Sequence, residues 1–238
     1  MALPLANVAK YELTLPSQQK TINYRPFLVK EEKVLLMAME SGESKEMLSA
    51  IKEIVKSCTF GEMLAENYPM FDIEYVFLQI RAKSVGEVAK IKVLCPDDGE
   101  TYADIEVDLS KIEVFVDDDH TPNIVSDEDR KLGVTMKYPT LKDIDGETLT
   151  GEVNIEKTYK MIENSIESIY EGEEVHLAKD IERKELTEFL ENLTAEQMKK
   201  LTTFYNSMPR LEHKVQVTNP KTKVESEVTI KGLASFFV

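Results

Sequence analysis

Cysteine is scarce in this chain. Only Cys58 and Cys95 occur, one in a predicted helix and one in a predicted turn, which argues against a disulfide framework and fits a reducing compartment. Histidine is equally sparse. His120, His176 and His213 stand isolated, and none is spaced with another ligand in a metal-binding or zinc-protease pattern. Long apolar runs are missing, so nothing approaches the roughly 20 residues needed to span a bilayer. The opening MALPLANVAKYELTLP also lacks the basic end and apolar block of a secretory signal. There is no glycine-rich dinucleotide fingerprint, no phosphate-binding P-loop and no GxSxG nucleophile elbow, which leaves the familiar sequence-readable enzyme classes without support. Positive charge is short as well: 29 basic residues face 44 acidic ones, a net of -15. Such a balance repels phosphate backbones and anionic lipid surfaces, so neither nucleic acid nor a membrane is expected as a partner.

What is present reads as an ordinary folded protein. An apolar content of 42% and a charged content of 31% exceed what a disordered tail offers and suit a packed core, and 238 residues allow one large core or two modest ones. Tyr11, Leu13 and Leu15 alternate before Pro16, and Thr21 to Tyr24 return, which predicts an opening hairpin. Pro26 biases Arg25 toward an extended shape, after which Val34, Leu35, Ala38 and Met39 mark a helix that Gly42 stops. Ser44 can cap a second helix with Met47, Leu48, Ile51, Ile54, Val55 and Cys58 on one face, where Cys58 acts as a small buried apolar side chain. A third helix is expected from near Asp72, with Phe71 and Val76 as a staple.

Val88 to Leu94 and Tyr102 to Leu109 then alternate around CPDDGE, a second hairpin, with a short strand at Ile112 to Val116. Residues 117–131 are acid-rich and hold Pro122, and are expected to be a linker between lobes 1–116 and 132–238. Leu132 to Tyr138 predicts a strand. Asn154 can cap a helix whose stripe runs Ile155, Tyr159, Ile162, Ile166 and Ile169. Leu186 to Leu193 predicts a shorter helix, and Thr194 with Gln197 forms a capping box for another that Pro209 ends. His213 to Val217 and Val224 to Ile230 read as a last hairpin across NPKT. The fold class is α+β, in two lobes built from helices plus a hairpin.

A helix leading into a hairpin thus occurs twice, from Asp72 to Leu109 and from Thr194 to Ile230. Ile91, Val93 and Pro96 match Val215, Val217 and Pro220, and Ile105 and Val107 match Val228 and Ile230 after one deleted residue. Duplication and the commonness of this arrangement account for the match equally well. The turn from Cys95 to Gly99 has the look of half a zinc knuckle, but a structural zinc needs four ligands and the C-terminal turn offers Asn219 and Pro220, so a metal-free turn is expected. Asp143, Asp145 and Gly146 invite comparison with a calcium loop, yet the glycine comes too early; a surface turn is expected. Arg25, set between Tyr24 and Phe27, either anchors a carboxylate internally or lies exposed as a contact, and the internal role is favoured. Met37 and Met39 fit an adaptable docking face or plain core filling.

The segments YRPFLVKEEKVLLMAMESG, FDIEYVFLQIRAKSVGE and FYNSMPRLEH, with the terminal GLASFF, resemble the T4-type bacteriophage base-plate protein family over most of the chain. That resemblance implies a tail base-plate hub subunit or a hub assembly factor, working by protein docking in the infected bacterial cytoplasm or in the virion tail, with other base-plate hub proteins as partners. No catalytic residue carries over, no cofactor is implied, and no enzyme activity is expected. The alternative is a tail-associated cell-wall hydrolase. Some relatives carry paired cysteines on the hairpin turns; here only Cys95 remains, and no metal is assigned. If the shared segments mark contacts, the partner-binding candidates are Tyr24, Arg25, Pro26, Phe27, Lys30 and Glu31, then Arg81 and Lys83, then Pro209 with Phe236 and Phe237.

Overall fold

A computed structural model describes residues 8–143 and 155–232. The chain divides into two compact units, Met1–Phe115 with Arg210–Val238, and Val116–Pro209. The first opens with the antiparallel pair β1 (Tyr11–Thr14) and β2 (Thr21–Tyr24), followed by the helices α1 (Val29–Ser41), α2 (Ser44–Cys58) and α3 (Met70–Val85). The hairpin of β3 (Val88–Leu94) and β4 (Tyr102–Asp108) comes next, then the short β5 (Val114–Phe115). The second unit follows as β6 (Asn123–Asp127), β7 (Leu132–Met136), α4 (Ile155–Ser165), β8 (Ile166–Glu171), β9 (Glu174–Leu177), α5 (Arg183–Glu191) and α6 (Ala195–Ser207). The chain then returns to the first unit as β10 (Arg210–Thr218) and β11 (Glu225–Lys231).

Mixed α+β architecture is thereby found. The lobes were expected as consecutive stretches, whereas the contacts make the second unit an insert between β5 and β10, which are themselves hydrogen-bonded neighbours with Arg210 opposite Phe115. The acidic stretch expected as a linker contains β6. Its only inward apolar residue is Ile124, and Ser126 is buried but satisfied by donating to the Leu132 carbonyl, so one edge strand forms with almost no hydrophobic signal.

In the first unit α3 is the central element. Phe71, Ile73, Val76, Phe77, Leu78 and Ile80 are buried on several sides of it, which is the pattern of a helix surrounded by protein. It begins at Met70 after Pro69, two residues earlier than expected. Asp72 is therefore no cap: it sits buried within the first turn, where its carboxylate accepts the Ser17 N–H at 3.1 Å and the Ser17 hydroxyl, tying the β1–β2 turn to α3. Burial pushes its pKa up, and the two Ser17 bonds offset part of that rise.

In the second unit an antiparallel sheet of order β6-β7-β8-β9 carries the helices. Ile124, Val134, Met136, Ile162, Ile166, Leu186, Leu190, Leu201 and Phe204 form one core. The predicted helix through Ile169 ends at Ser165, and Ile166 and Ile169 lie in β8. Their spacing of three mimics a helix because of a β-bulge: Met136 pairs with Ile166 but Thr135 pairs with Ser168, so one extra residue brings both isoleucines to the buried face. Asn154, the expected cap of α4, lies outside the described residues.

Candidate functional site

Three places carry polar chemistry. The first lies where β2 gives way to α1. Arg25 donates its backbone N–H to the Cys58 carbonyl at 2.9 Å, and this fixes the side chain over the end of α2. Its guanidinium donates to Glu31 Oε1 at 2.8 Å, to Ser57 Oγ at 3.0 Å and to the Pro26 carbonyl at 2.9 Å. The Ser57 hydroxyl donates to Glu31 Oε1 at 2.7 Å, and Glu31 Oε2, at the third helical position, accepts the Leu28 N–H at 2.9 Å. The side chains of Arg25 and Glu31 are only 11% and 5% exposed, so this is an interior ion pair. Burial works against the Glu31 charge, but the Arg25 and Ser57 hydrogen bonds and the Leu28 amide outweigh it and hold the pKa down at about 2. Cys58 is pushed up to about 11 by burial, although Arg25 works against the rise; such a thiol is a poor nucleophile.

Most of the sequence-derived candidates gather in this region. Tyr24 is buried against Tyr11 with ring centroids 5.5 Å apart, and the Phe27 N–H donates to Ser84 Oγ at 2.9 Å. Lys83 lies over the Tyr11 ring at 5.5 Å and pairs with Glu87 at 2.5 Å. Lys30 points outward, 70% exposed, 3.4 Å from Glu31. Arg81 is half-buried, and burial lowers its pKa. Pro209 is buried where the second unit ends. Phe236 and Phe237 lie outside the described residues. The opposite side of α1 is unlike this interior: Val29 is 79% exposed, Leu36 53%, Met37 59% and Met39 40%.

The second place is the pair of hairpin turns. Cys95, Ala103 and Val217 are buried together, with Val93, Ile105, Val215 and Val228 packed around them, so the β3–β4 and β10–β11 hairpins share one small core. Their turns have the same backbone wiring. Gly99 N–H donates to the Cys95 carbonyl at 3.0 Å, and Lys223 N–H to the Asn219 carbonyl at 2.9 Å; Gly99 and Lys223 both have φ of 66°. Across the turns Asn219 Nδ2 donates to both Asp97 oxygens at 2.9 and 3.1 Å, and the Thr222 hydroxyl donates to Asp97 at 2.5 Å. Asn219 Oδ1 accepts the N–H groups of Lys221 and Thr222. Asp98 closes its own turn by accepting from Glu100 and Thr101. A four-ligand zinc knuckle does not fit these residues. Cys95 is the single cysteine of the two turns, and Asp97, Asp98, Asn219 and Thr222 are engaged in hydrogen bonds; burial, with Asp97 and Asp98, raises the Cys95 pKa. Of the helices that precede the two hairpins, α3 belongs to the first unit and α6 to the second.

The third place, in the second unit, holds a histidine and a serine. His120 is bonded through Nδ1 to Ser207 Oγ at 2.9 Å and through Nε2 to Tyr138 OH at 3.0 Å, and its ring stacks on Tyr138 at 5.7 Å. A nucleophilic serine must give its proton to the imidazole. Ser207 Oγ also lies 3.0 and 3.2 Å from the carbonyls of Thr203 and Phe204 in its own helix, which offer its hydroxyl other acceptors than the imidazole. These bonds tie the His120 ring to the end of α6 and to Tyr138. Burial lowers the His120 pKa, with Asp117 working in the other direction. Asp143, one of the residues compared with a calcium loop, accepts from the Thr140 amide and hydroxyl, and Asp145 and Gly146 lie outside the described residues. Among the described residues no helix is long and apolar enough to cross a membrane.

Arg25, Glu31 and Asn219 have their polar groups engaged in hydrogen bonds within the fold. The family model of the T4 bacteriophage base plate proteins matches residues 8–238, and the chain belongs to that family. No match was found among curated proteins or among solved structures. It is a phage base-plate protein, with other base-plate proteins as its partners and the virion tail as its place.

Proposed function

We propose that this chain is a hub protein of the base plate that works by docking, as a hub subunit or as an assembly factor in the host cytoplasm, and carries out no catalysis. The observation that supports this reading is the contrast around Arg25. The charged groups with unusual chemistry are spent in an interior clamp, while the same helix, α1, turns four large apolar side chains to solvent. Contiguous exposed apolar surface is what protein interfaces are made from. A hydrolase would draw on His120 and Ser207, but the Ser207 hydroxyl has the Thr203 and Phe204 carbonyls of its own helix as competing acceptors, which favours the docking reading. The hub assignment within the base plate rests on the resemblance of the shared segments.

Co-expression of the tagged chain with the phage's hub proteins, followed by pull-down and mass measurement, tests the reading. A defined complex supports it and names the partner; a lone chain with every hub protein overturns it. Purified virions then separate the two forms of the proposal, since a subunit must be present in them and a transient factor must not.

A further inference from the structure

The exposed face of α1 has a pattern that its apolar content alone does not explain. Val29, Lys33, Leu36 and Glu40 follow one another at steps of four, three and four residues, so they form a single stripe along the helix, opposite the buried Glu31, Leu35 and Ala38. Met37 and Met39 flank it. Turned end for end about a two-fold axis between Leu36 and Met37, the two charges of the stripe exchange places and the apolar Leu36 and Met37 exchange across the axis. Lys33 and Glu40 lie equally far from that axis, about 5 Å to either side at 1.5 Å per residue, so each Lys33 comes to face the second copy's Glu40. Leu36 then lies beside the axis against the second copy's Met37, and Val29 carries the contact toward the start of the second copy's α2.

Charge points the same way. The chain carries a net of -15 and should repel its own kind over most of its surface. Along α1 the exposed charges are Lys30, Lys33, Glu32 and Glu40, which cancel, so this is a place where two acidic copies can approach. We propose that the α1 face is an isologous interface, and that the chain forms a two-fold dimer with α1 packed antiparallel against the second copy's α1. This goes beyond the docking role with hub proteins and does not depend on it. A contact of one helix per copy, about 20 Å long, is below the roughly 800 Å² per partner of a standard stable interface, so the dimer should be concentration-dependent.

Sedimentation equilibrium of the purified chain from micromolar to millimolar concentration is the test. The expected result is a monomer–dimer equilibrium that Leu36→Glu abolishes, with an unchanged circular dichroism melt because Leu36 is half exposed. Lys33→Glu and Glu40→Lys should each weaken association at least tenfold, and the doubly exchanged variant should restore it, which no contact outside this register predicts. A monomer at every concentration overturns the dimer, as does association that survives Leu36→Glu or a double exchange that fails to rescue. If the chain alone stays monomeric while Leu36→Glu abolishes capture by a hub protein, the dimer is overturned and the face belongs to that protein; the docking function then stands.

Discussion

Glu31 is the residue on which the junction between β2 and α1 depends. Removing its charge strands the Arg25 guanidinium in a site where it is 11% exposed, and breaking a buried pair from one side costs about 3 to 5 kcal/mol. Glu31→Gln, which keeps the shape, is therefore expected to lower the denaturant midpoint by an amount near the bottom of that range. The same residue gives the fold an acid limit. Its folded pKa of about 2 lies below the ordinary 4.5, so its stabilisation is complete above 4.5 and is lost as pH falls toward 2; thermal melts across that window should fall more steeply in the wild type than in Glu31→Gln. His120 acts with the same sign at higher pH. Because burial depresses its pKa below 6.5, the neutral ring stabilises the second unit above 6.5, and that contribution declines as pH falls through the depressed value. Nuclear magnetic resonance should show its imidazole titrating below 6.5, and His120→Gln should flatten the stability profile there.

Individual elements differ in how openly the sequence declares them. The capping box of α6 was legible because it is a local pattern, and the structure has both of its bonds, Gln197 N–H to Thr194 Oγ1 and Thr194 N–H to Gln197 Oε1. Thr194→Ala should cost about 1 kcal/mol in the unfolding of the second unit, read by its denaturant midpoint. The hairpins were legible from alternation, and Cys58 was correctly placed on the buried face of α2. The interior role of Arg25 was favoured from its setting between aromatics, but its partners Ser57 and Glu31 are brought together only by the packing of α1 on α2. Ile166 and Ile169 misled because a bulge gives a strand the spacing of a helix. The bond across the hairpin turns was invisible, since Asp97 and Asn219 are far apart in sequence. Asn219 is 1% exposed, and Asn219→Ala leaves the Lys221 and Thr222 amides without their acceptor; a loss of about 1 to 3 kcal/mol is expected, with faster hydrogen exchange at Lys223.

At the scale of the molecule the order of the units was hidden because an insertion leaves no composition boundary at its second crossing. Pro209 looks like a helix stop, and it is one, but the following strand pairs with β5, almost a hundred residues earlier. The second unit has its own core around Val134, Ile162 and Phe204. Val116–Pro209 expressed alone should therefore give a cooperative thermal transition by circular dichroism. Conversely, because Phe115 and Arg210 sit opposite each other on antiparallel neighbours, a two-residue Asn-Gly turn in place of the insert should close the first unit as an ordinary hairpin and leave it folded.

The insertion also sets a timetable on the ribosome. Once β5 has been made, the entire second unit must be translated before the first residue of β10 appears, a delay on the order of several seconds at about 5–20 residues per second. During that interval Cys95 and Ala103 have no Val217 to lie against, and the β3–β4 hairpin waits with an uncovered apolar side. The insert can finish folding while its host is still open, so a nascent chain stalled after Pro209 would carry one complete unit and one aggregation-prone stub.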